Sequence, residues 1–265
     1  LAGVGEDMVR SGAAFEVGTA AGPGLVLEAA GVEKHYWNGG APVAALRGIS
    51  LDLAPGDFVA ILGGRGAGKS TLLNIAGCID RPTGGTCRIA GEDIGDLGPE
   101  ELAEVRDRHI GFVFHGLNLI PGTSAVENVE LPMLHQGIGL EERRRRAADA
   151  LARVDLGASM HCPVEKLSRG ERARLAIARA LVNHPTLLLV DEPISGSRRR
   201  NASPKLEVAV CLRRLNREGL TILLATGDGQ VAAQAKRIVR LAEGRILSGQ
   251  CVLPARQDRR ARVTA

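Results

Sequence analysis

Two short stretches of this chain carry residue types suited to chemistry on a triphosphate. Gly63, Gly64, Arg65, Gly66, Ala67, Gly68, Lys69 and Ser70 fit the spacing G-x-x-x-x-G-K-[ST]. Glycines at these positions let successive backbone N–H groups point into one concavity. The helix expected directly after this loop adds its positive end, so an anionic ligand is held without a bulky side chain intruding. Lys69 is placed to reach the β- and γ-phosphates and the Ser70 hydroxyl to reach Mg²⁺, an ion that keeps most of its octahedral ligands as water and phosphate oxygen. Thr71 follows on the same turn. Far downstream, the apolar run 187–190 ends in Asp191, Glu192 and Pro193. It delivers two carboxylates at the C-terminal end of a strand, where open α/β sheets bind ligands. Asp191 suits a water-mediated contact to Mg²⁺, and Glu192 suits a general base that polarises an attacking water. An acidic pair at a strand end is common by itself, and this one gains its weight from the glycine-rich loop in the same chain.

The elements that must hold these residues alternate between two periods. Short β-type segments at 25–27, 49–53, 57–62, 110–114, 187–190, 221–225 and 238–241 are separated by helical patterns, the order of an α/β domain. The early and late strands are expected to pair antiparallel. After the glycine-rich loop, Leu72, Ile75, Ala76 and Ile79 fall at i, i+3, i+4 and i+7, which predicts a helix with one apolar face on the sheet. A second helix is expected to open at Ser203 and Pro204, to carry Val208, Cys211, Leu212 and Leu215 on one face, and to stop at Gly219. Strand signals disappear between Gly116 and Pro163. Helical patterns replace them, with the charge run 141–146 on a solvated face, which predicts an inserted helical subdomain at about 116–165.

A chain of 265 residues with 45% hydrophobic content can bury one large core without disulfides or metals. Its five cysteines are odd in number, scattered and free of any Cys-x-x-Cys pair, which argues against a disulfide framework and a zinc site. No stretch approaches the roughly 18 apolar residues of a membrane-spanning helix. Residues 1–24 lack the basic-then-apolar order of a secretory signal and are expected to be a flexible leader, and 251–265 a basic tail. The expected compartment is cytoplasmic. The formal charge of +4 is concentrated in 143–146, 198–200 and the tail, not in a stripe interleaved with aromatics, so nucleic acid is not the expected partner.

Leu167, Ser168, Arg169, Gly170 and Glu171, followed by the helical run 172–181, resemble the signature of the ABC ATPases and its helix, an element other P-loop families lack. Its place after a helical insertion and before the Asp191 strand is also the family's order, and the resemblance covers about 25–250. The segments 45–51, 112–121 and Glu127, Asn128, Val129 look most like the lipoprotein-release, macrolide-export and cell-division subgroup. The resemblance implies an ABC-type P-loop ATPase core with an antiparallel β part and an inserted helical subdomain. It implies ATP and Mg²⁺ as ligands and a head-to-tail dimer, homomeric or with another ABC ATPase. ATP would lie between the phosphate loop of one protomer and the segment Ser168, Arg169, Gly170, Glu171 of its partner. It also implies a separate membrane permease, docked near His115, and a peripheral position on the cytoplasmic face of the cell membrane. Tyr36 falls where the family stacks an aromatic ring on adenine. The residues alone leave open whether Tyr36 is instead an ordinary strand aromatic, or whether Trp37 takes that place.

Several positions depart from the family's pattern. His115 stands where a glutamine usually touches Mg²⁺, bringing a different reach and a titratable charge. Gly227, in the run Ala225, Thr226, Gly227, Asp228, stands at the switch histidine that contacts the γ-phosphate. Losing one preorganised group of this kind costs about 10²–10³ in rate. Arg169 replaces the first glycine of the signature, Arg65 takes a serine position in the phosphate loop, and Ile194, Ser195, Gly196, Ser197 and Arg198 replace a stretch that normally ends in a carboxylate. Two readings follow. In one, the chain is an ATPase powering a membrane complex through Lys69, Ser70, Asp191 and Glu192. In the other, it is a degenerate nucleotide-binding subunit with little hydrolysis, regulatory or paired with an intact ABC partner. A soluble DNA-repair ATPase with the same signature is disfavoured by the lack of a long coiled coil, zinc cysteines or a basic stripe.

Overall fold

The structure, a computed structural model, describes residues 24–37, 39–194 and 204–251. Its centre is a six-stranded sheet in the order β10-β9-β3-β8-β7-β6, built from β3 (Phe58–Leu62), β6 (Ile110–Val113), β7 (Leu187–Asp191), β8 (Thr221–Thr226), β9 (Arg237–Ala242) and β10 (Arg245–Cys251). Strands β9, β3, β8, β7 and β6 run parallel, and β10 closes the edge antiparallel to β9. Successive side chains of a strand face opposite sides, and the sequence uses both. Phe58, Ala60, Leu188, Val190, Ile222 and Leu224 enter one core cluster, whereas Val59, Ile61, Leu187, Leu189, Leu223 and Ala225 enter the other. This explains why 187–190 reads as an unbroken apolar run: a strand covered on both faces has no polar side to alternate with.

On the first face lie α3 (Ala125–His135), α4 (Leu140–Arg153), α5 (Arg169–Leu181), α6 (Pro204–Arg217) and the one-turn α7 (Gly229–Ala232). On the second lie α1 (Lys69–Ala76), α2 (Pro99–His109) and a four-stranded antiparallel sheet, β2-β1-β4-β5, formed by β1 (Leu27–Tyr36), β2 (Val43–Leu53), β4 (Gly84–Ile89) and β5 (Glu92–Asp93). The early and late strands therefore do pair antiparallel, but each within its own sheet. Helices α3 and α4 occupy the segment read as a helical insertion. A capping box starts α3, with Ser124 N donating to Glu127 Oε2 at 2.7 Å. Buried Asn128 ties down the loop before it, accepting from Ile120 N at 2.9 Å and donating to Thr123 Oγ1 at 2.6 Å. The charge run lies on α4, where Arg145 and Arg146 both pair with Glu142, holding that exposed carboxyl down at about 2.

Four features differ from the expectation. Helix α1 stops at Gly77, and Cys78 adopts a left-handed backbone (φ 53), so Ile79 leaves the helix and is 43% exposed; Leu73 fills the core in its place. The first two strands are longer than expected: β1 starts at Leu27 and runs on to Tyr36, well past the expected 25–27, and β2 starts at Val43, ahead of the expected 49–53. Strands β4, β5 and β10 and helix α2 carried no clear apolar period: β4 buries only Cys87 and Ile89, and α2 only Leu102 and Val105. Phe114 lies beyond the end of β6. Helix α6 buries Val208, Cys211, Leu212 and Leu215 as expected, and Gly219 ends that segment with φ 104. The leader, the tail beyond 251, Ser203 and the stretch Ser195, Gly196, Ser197 and Arg198 lie outside the described residues.

The α1 boundary has a measurable consequence. Leu73→Ala is expected to cost about 2–5 kcal/mol and Ile79→Ala to stay within about 0.5 kcal/mol of the parent; urea denaturation of both distinguishes this boundary from a helix running through Ile79.

Candidate functional site

Parallel pairing brings the chemical residues to one edge of the sheet. Leu62 at the end of β3 lies opposite Thr226 of β8, Ala225 lies opposite Asp191 of β7, and Val190 lies opposite Val113 of β6. At about 4.8 Å per strand the four C-termini span about 15 Å. The phosphate loop, Gly227, the Asp191–Glu192 pair and the loop carrying His115 therefore leave the sheet side by side.

The loop itself is defined by its backbone. Gly66 (φ 76) and Gly68 (φ 99) take left-handed conformations, and Gly68 directly precedes α1. From Arg65 to Ser70 only the Ala67 N–H reaches a carbonyl among the described residues, Gly64 O at 3.4 Å, so the others remain as donors for an anion. Lys69 is buried at 8% exposure, and its ammonium donates to Gly63 O at 2.9 Å and Gly64 O at 2.8 Å. Its third N–H is left for the concavity. The end glycines serve packing: a β-carbon on Gly63 would lie 2.4 Å from Leu241 O, and one on Gly68 2.6 Å from Ala45 O. At Gly64 and Gly66 there is open space, and Arg65 projects from an exposed crest.

Asp191 ends β7 at 9% exposure, and neither its carboxylate nor that of Glu192 has an ion pair or hydrogen bond among the described residues. Both remain acceptors. Glu192 holds a left-handed backbone (φ 36), fixed by its N–H on Ala225 O at 3.0 Å. Gly227 adjoins this pair: a β-carbon there would sit 3.8 Å from Glu192 Oε1 and 3.6 Å from Gly63 O, ordinary contact distances in a backbone that any residue accepts. Asp228 is committed elsewhere. It caps α7, accepting from Gln230 N at 2.9 Å, and pairs with Lys205 at 3.7 Å.

His115, two residues past β6, is exposed and lines a groove of about 200 Å³ with Leu117, Arg169, Arg172, Pro193 and Ile194. The structure thus joins His115 to the start of α5. There Ser168 is the N-cap of a capping box: Glu171 N donates to Ser168 Oγ at 3.3 Å, and Ser168 N donates to Glu171 Oε2 at 2.8 Å. The Ser168 hydroxyl and then its N–H hold the Glu171 carboxyl below the usual range. Gly170 is buried against α6, with Glu207 Oε2 3.3 Å from where a β-carbon would stand. At the far end of α5, Arg179 donates to Leu117 O and Asn118 O, both at 2.6 Å, gripping a corner in which both residues are left-handed (φ 60 and 47). Sequence reading missed this contact, as nothing local to Leu117 marks a partner 62 residues away.

Tyr36, at the end of β1, is tied to the turn that follows α1. Its hydroxyl donates to Asp80 Oδ2 at 2.8 Å, while Trp37, on the alternate side of the chain, is 74% exposed. Burial and then the Asp80 carboxylate raise the Tyr36 pKa, with the Thr71 hydroxyl acting in the opposite sense.

A glycine-rich loop between a parallel strand and a helix, with a carboxylate pair on a neighbouring strand of the same sheet, defines a P-loop nucleotide-binding protein. The sequence profile of the ABC transporter family matches residues 46–195. The chain is 43% identical over 221 residues to an uncharacterized ABC transporter ATP-binding protein of Thermotoga maritima, covering 83% of this chain and 93% of that one. It is 46% identical over 222 residues to the macrolide export ATP-binding/permease protein MacB of Syntrophobacter fumaroxidans, covering 83% of this chain and 31% of that protein. The chain therefore spans about a third of the length of the macrolide-export relatives it matches. Among solved structures, the dimeric bacterial ABC transporter cassette MJ0796 superposes with a TM-score of 0.77 at 37% identity, covering 86% of this chain and 99% of that one. A second structure of that cassette, in a post-hydrolysis state with ADP and Pi, gives 0.77 at 36% identity with the same coverage. This chain belongs to the ABC transporter family, as its ATP-binding part, and has the ABC ATPase fold. Among the described residues no helix is long and apolar enough to cross a membrane.

Gly68→Ala is expected to destabilise the fold by about 1–3 kcal/mol through its φ and the Ala45 carbonyl. Gly64→Ala, with nothing within 4 Å, should leave the urea midpoint unchanged.

Proposed function

We propose that this chain binds and hydrolyses Mg-ATP and couples that cycle to a membrane permease, working as a cassette over about 25–250 with its helical subdomain at about 116–165. The observation that carries this reading is the alignment of the donor-rich loop and Lys69 with the unpaired Asp191 and Glu192 along one sheet edge. The donor set suits Mg²⁺: the exposed Ser70 hydroxyl and the Asp191 carboxylate are both oxygen ligands for a hard cation. When bound, Mg²⁺ draws charge from the phosphate oxygens. Lys69 and the loop N–H groups bind the phosphates, Tyr36 supports the base, and Glu192 takes the proton of the attacking water.

The dimeric MJ0796 structures support a dimer, and in this reading it is a head-to-tail pair whose Ser168 to Glu171 segment faces the partner's phosphate loop. The macrolide-export relatives, which are ATP-binding/permease proteins by name, support coupling to a permease; in the same reading this chain sits at the cytoplasmic face of the membrane, with His115 and the helical subdomain as the docking side. A second reading, a subunit that closes on ATP but turns over slowly, is favoured by one place: Gly227 offers no side chain beside Glu192, and Asp228 is spent on its helix cap. Arg169 at the signature and Arg198, in the stretch after Pro193 that departs from the family's sequence, belong to the same reading.

ATP turnover and ATP binding measured separately on the parent, Lys69→Ala and Gly227→His decide between them. The ATPase reading expects Lys69-dependent binding, parent turnover well above Lys69→Ala, and little gain from Gly227→His. ATP bound but turned over no faster than by Lys69→Ala, with a gain toward about 10²-fold in Gly227→His, establishes the slow subunit instead.

A further inference from the structure

Tyr36 is held from two directions by groups outside the phosphate loop. Its hydroxyl donates to one oxygen of Asp80 at 2.8 Å, and Lys34 Nζ donates to the other at 2.5 Å and to Arg81 O at 2.7 Å. The same Lys34 nitrogen lies over the Tyr36 ring, 5.1 Å from its centroid, and Lys34 is buried at 8% exposure. Asp80 is itself fixed. It accepts from Arg81 N at 2.8 Å, and its own N–H, with that of Ile79, folds back on Asn74 O at 3.2 and 2.9 Å, on the turn that ends α1. Burial opposes ionisation of Asp80, but the bonds from Lys34, Tyr36 and Arg81 outweigh it and hold the carboxyl below its usual range. The ring is thus secured at its tip by Asp80, on the turn that follows α1, and across one face by Lys34 of its own strand β1.

We propose that Asp80 and Lys34 are positioning residues for the nucleotide base: they lock the Tyr36 ring so that its remaining face is a preformed stacking surface at a fixed offset from the phosphate loop. This rests on the nucleotide-binding reading of the site. An aromatic at the mouth of a hairpin, next to the exposed Trp37, would otherwise lose rotamer freedom on binding, and fixing it in the fold removes that cost from the binding step. Lys34 covers one face, so a base has one face left. The arrangement predicts that Asp80 affects binding only through the ring, and hence only for ligands that carry a base.

The test is titration calorimetry of the full chain with Mg-ATP and, separately, inorganic tripolyphosphate. The proteins are the parent, Asp80→Ala, Lys34→Met, Tyr36→Phe, Tyr36→Ala, the Asp80→Ala/Tyr36→Ala double variant and Lys69→Ala. Asp80→Ala, Lys34→Met and Tyr36→Phe are expected to weaken ATP binding about threefold to tenfold and Tyr36→Ala about tenfold to a hundredfold, with tripolyphosphate affinity unchanged. Asp80→Ala should add nothing in the Tyr36→Ala background. The proposal is overturned if Asp80→Ala weakens tripolyphosphate as much as ATP, if Tyr36→Phe binds ATP like the parent, or if the double variant is weaker than Tyr36→Ala. ATP binding indifferent to Lys69→Ala would instead remove the underlying reading of the site.

Discussion

The phosphate loop works only because main chain packs directly against main chain at both of its ends. Gly63 lies under the carbonyl of Leu241, Gly68 under that of Ala45, and Gly244, in the turn between β9 and β10, also lies against Ala45, where a β-carbon would come within 2.6 Å of its oxygen. Hydrogen bonds follow the same contact: Gly244 N donates to Ala67 O at 3.0 Å, and Arg47 N to Gly244 O at 2.8 Å. Three glycines thus let β2, the β9–β10 turn and the loop meet without side chains between them. The antiparallel sheet is therefore part of the wall that shapes the loop. Because the loop's conformation is fixed from outside, its free N–H groups stay directed inward.

Charge in the site is arranged by where side chains are not satisfied. Along α4, arginines and acids neutralise one another, and Asp155 pairs with Arg214 at 3.0 Å where α4 meets α6. At the sheet edge the pattern reverses, with Asp191 and Glu192 left as acceptors next to a loop left as donors. Opposite polarities side by side and unspent suit a ligand that brings both phosphate oxygens and a cation. Asp228 shows how one position changes this. Next to the site in sequence, it is consumed by the first turn of α7 and by Lys205.

The parts of the site that depend on backbone geometry were legible in the sequence, because only certain residue types meet that geometry. A loop whose N–H groups converge needs glycines at set intervals, a doubly covered strand needs an unbroken apolar run, and a helix start needs an oxygen at its cap, as Ser168 supplies. What could not be read depends on distance. Tyr36 and Asp80 are 44 residues apart and Arg179 and Leu117 are 62 apart, and neither pair leaves a local pattern. The missed elements share another cause. Strands β4 and β5 lie on a small sheet with few buried positions, and α2 turns only Leu102 and Val105 inward, so their hydrophobic period is too weak to register. Ile79 misled for the opposite reason: it kept the helical spacing beyond a glycine that had already ended the helix.

Helix α5 joins two loops that otherwise have no covalent proximity. Its first residues follow Ser168, and its last turn carries Arg179, half-sunk among the side chains it crosses, where burial lowers its pKa. Thirteen residues of α-helix make a rod of about 20 Å, and the planar fork at its end grips two consecutive carbonyls in a corner too tight to pivot about one bond. The loop bearing His115 and the segment bearing Ser168 are therefore fastened to the same stiff helix, so their separation is set by the length of one rod and not by the loops themselves.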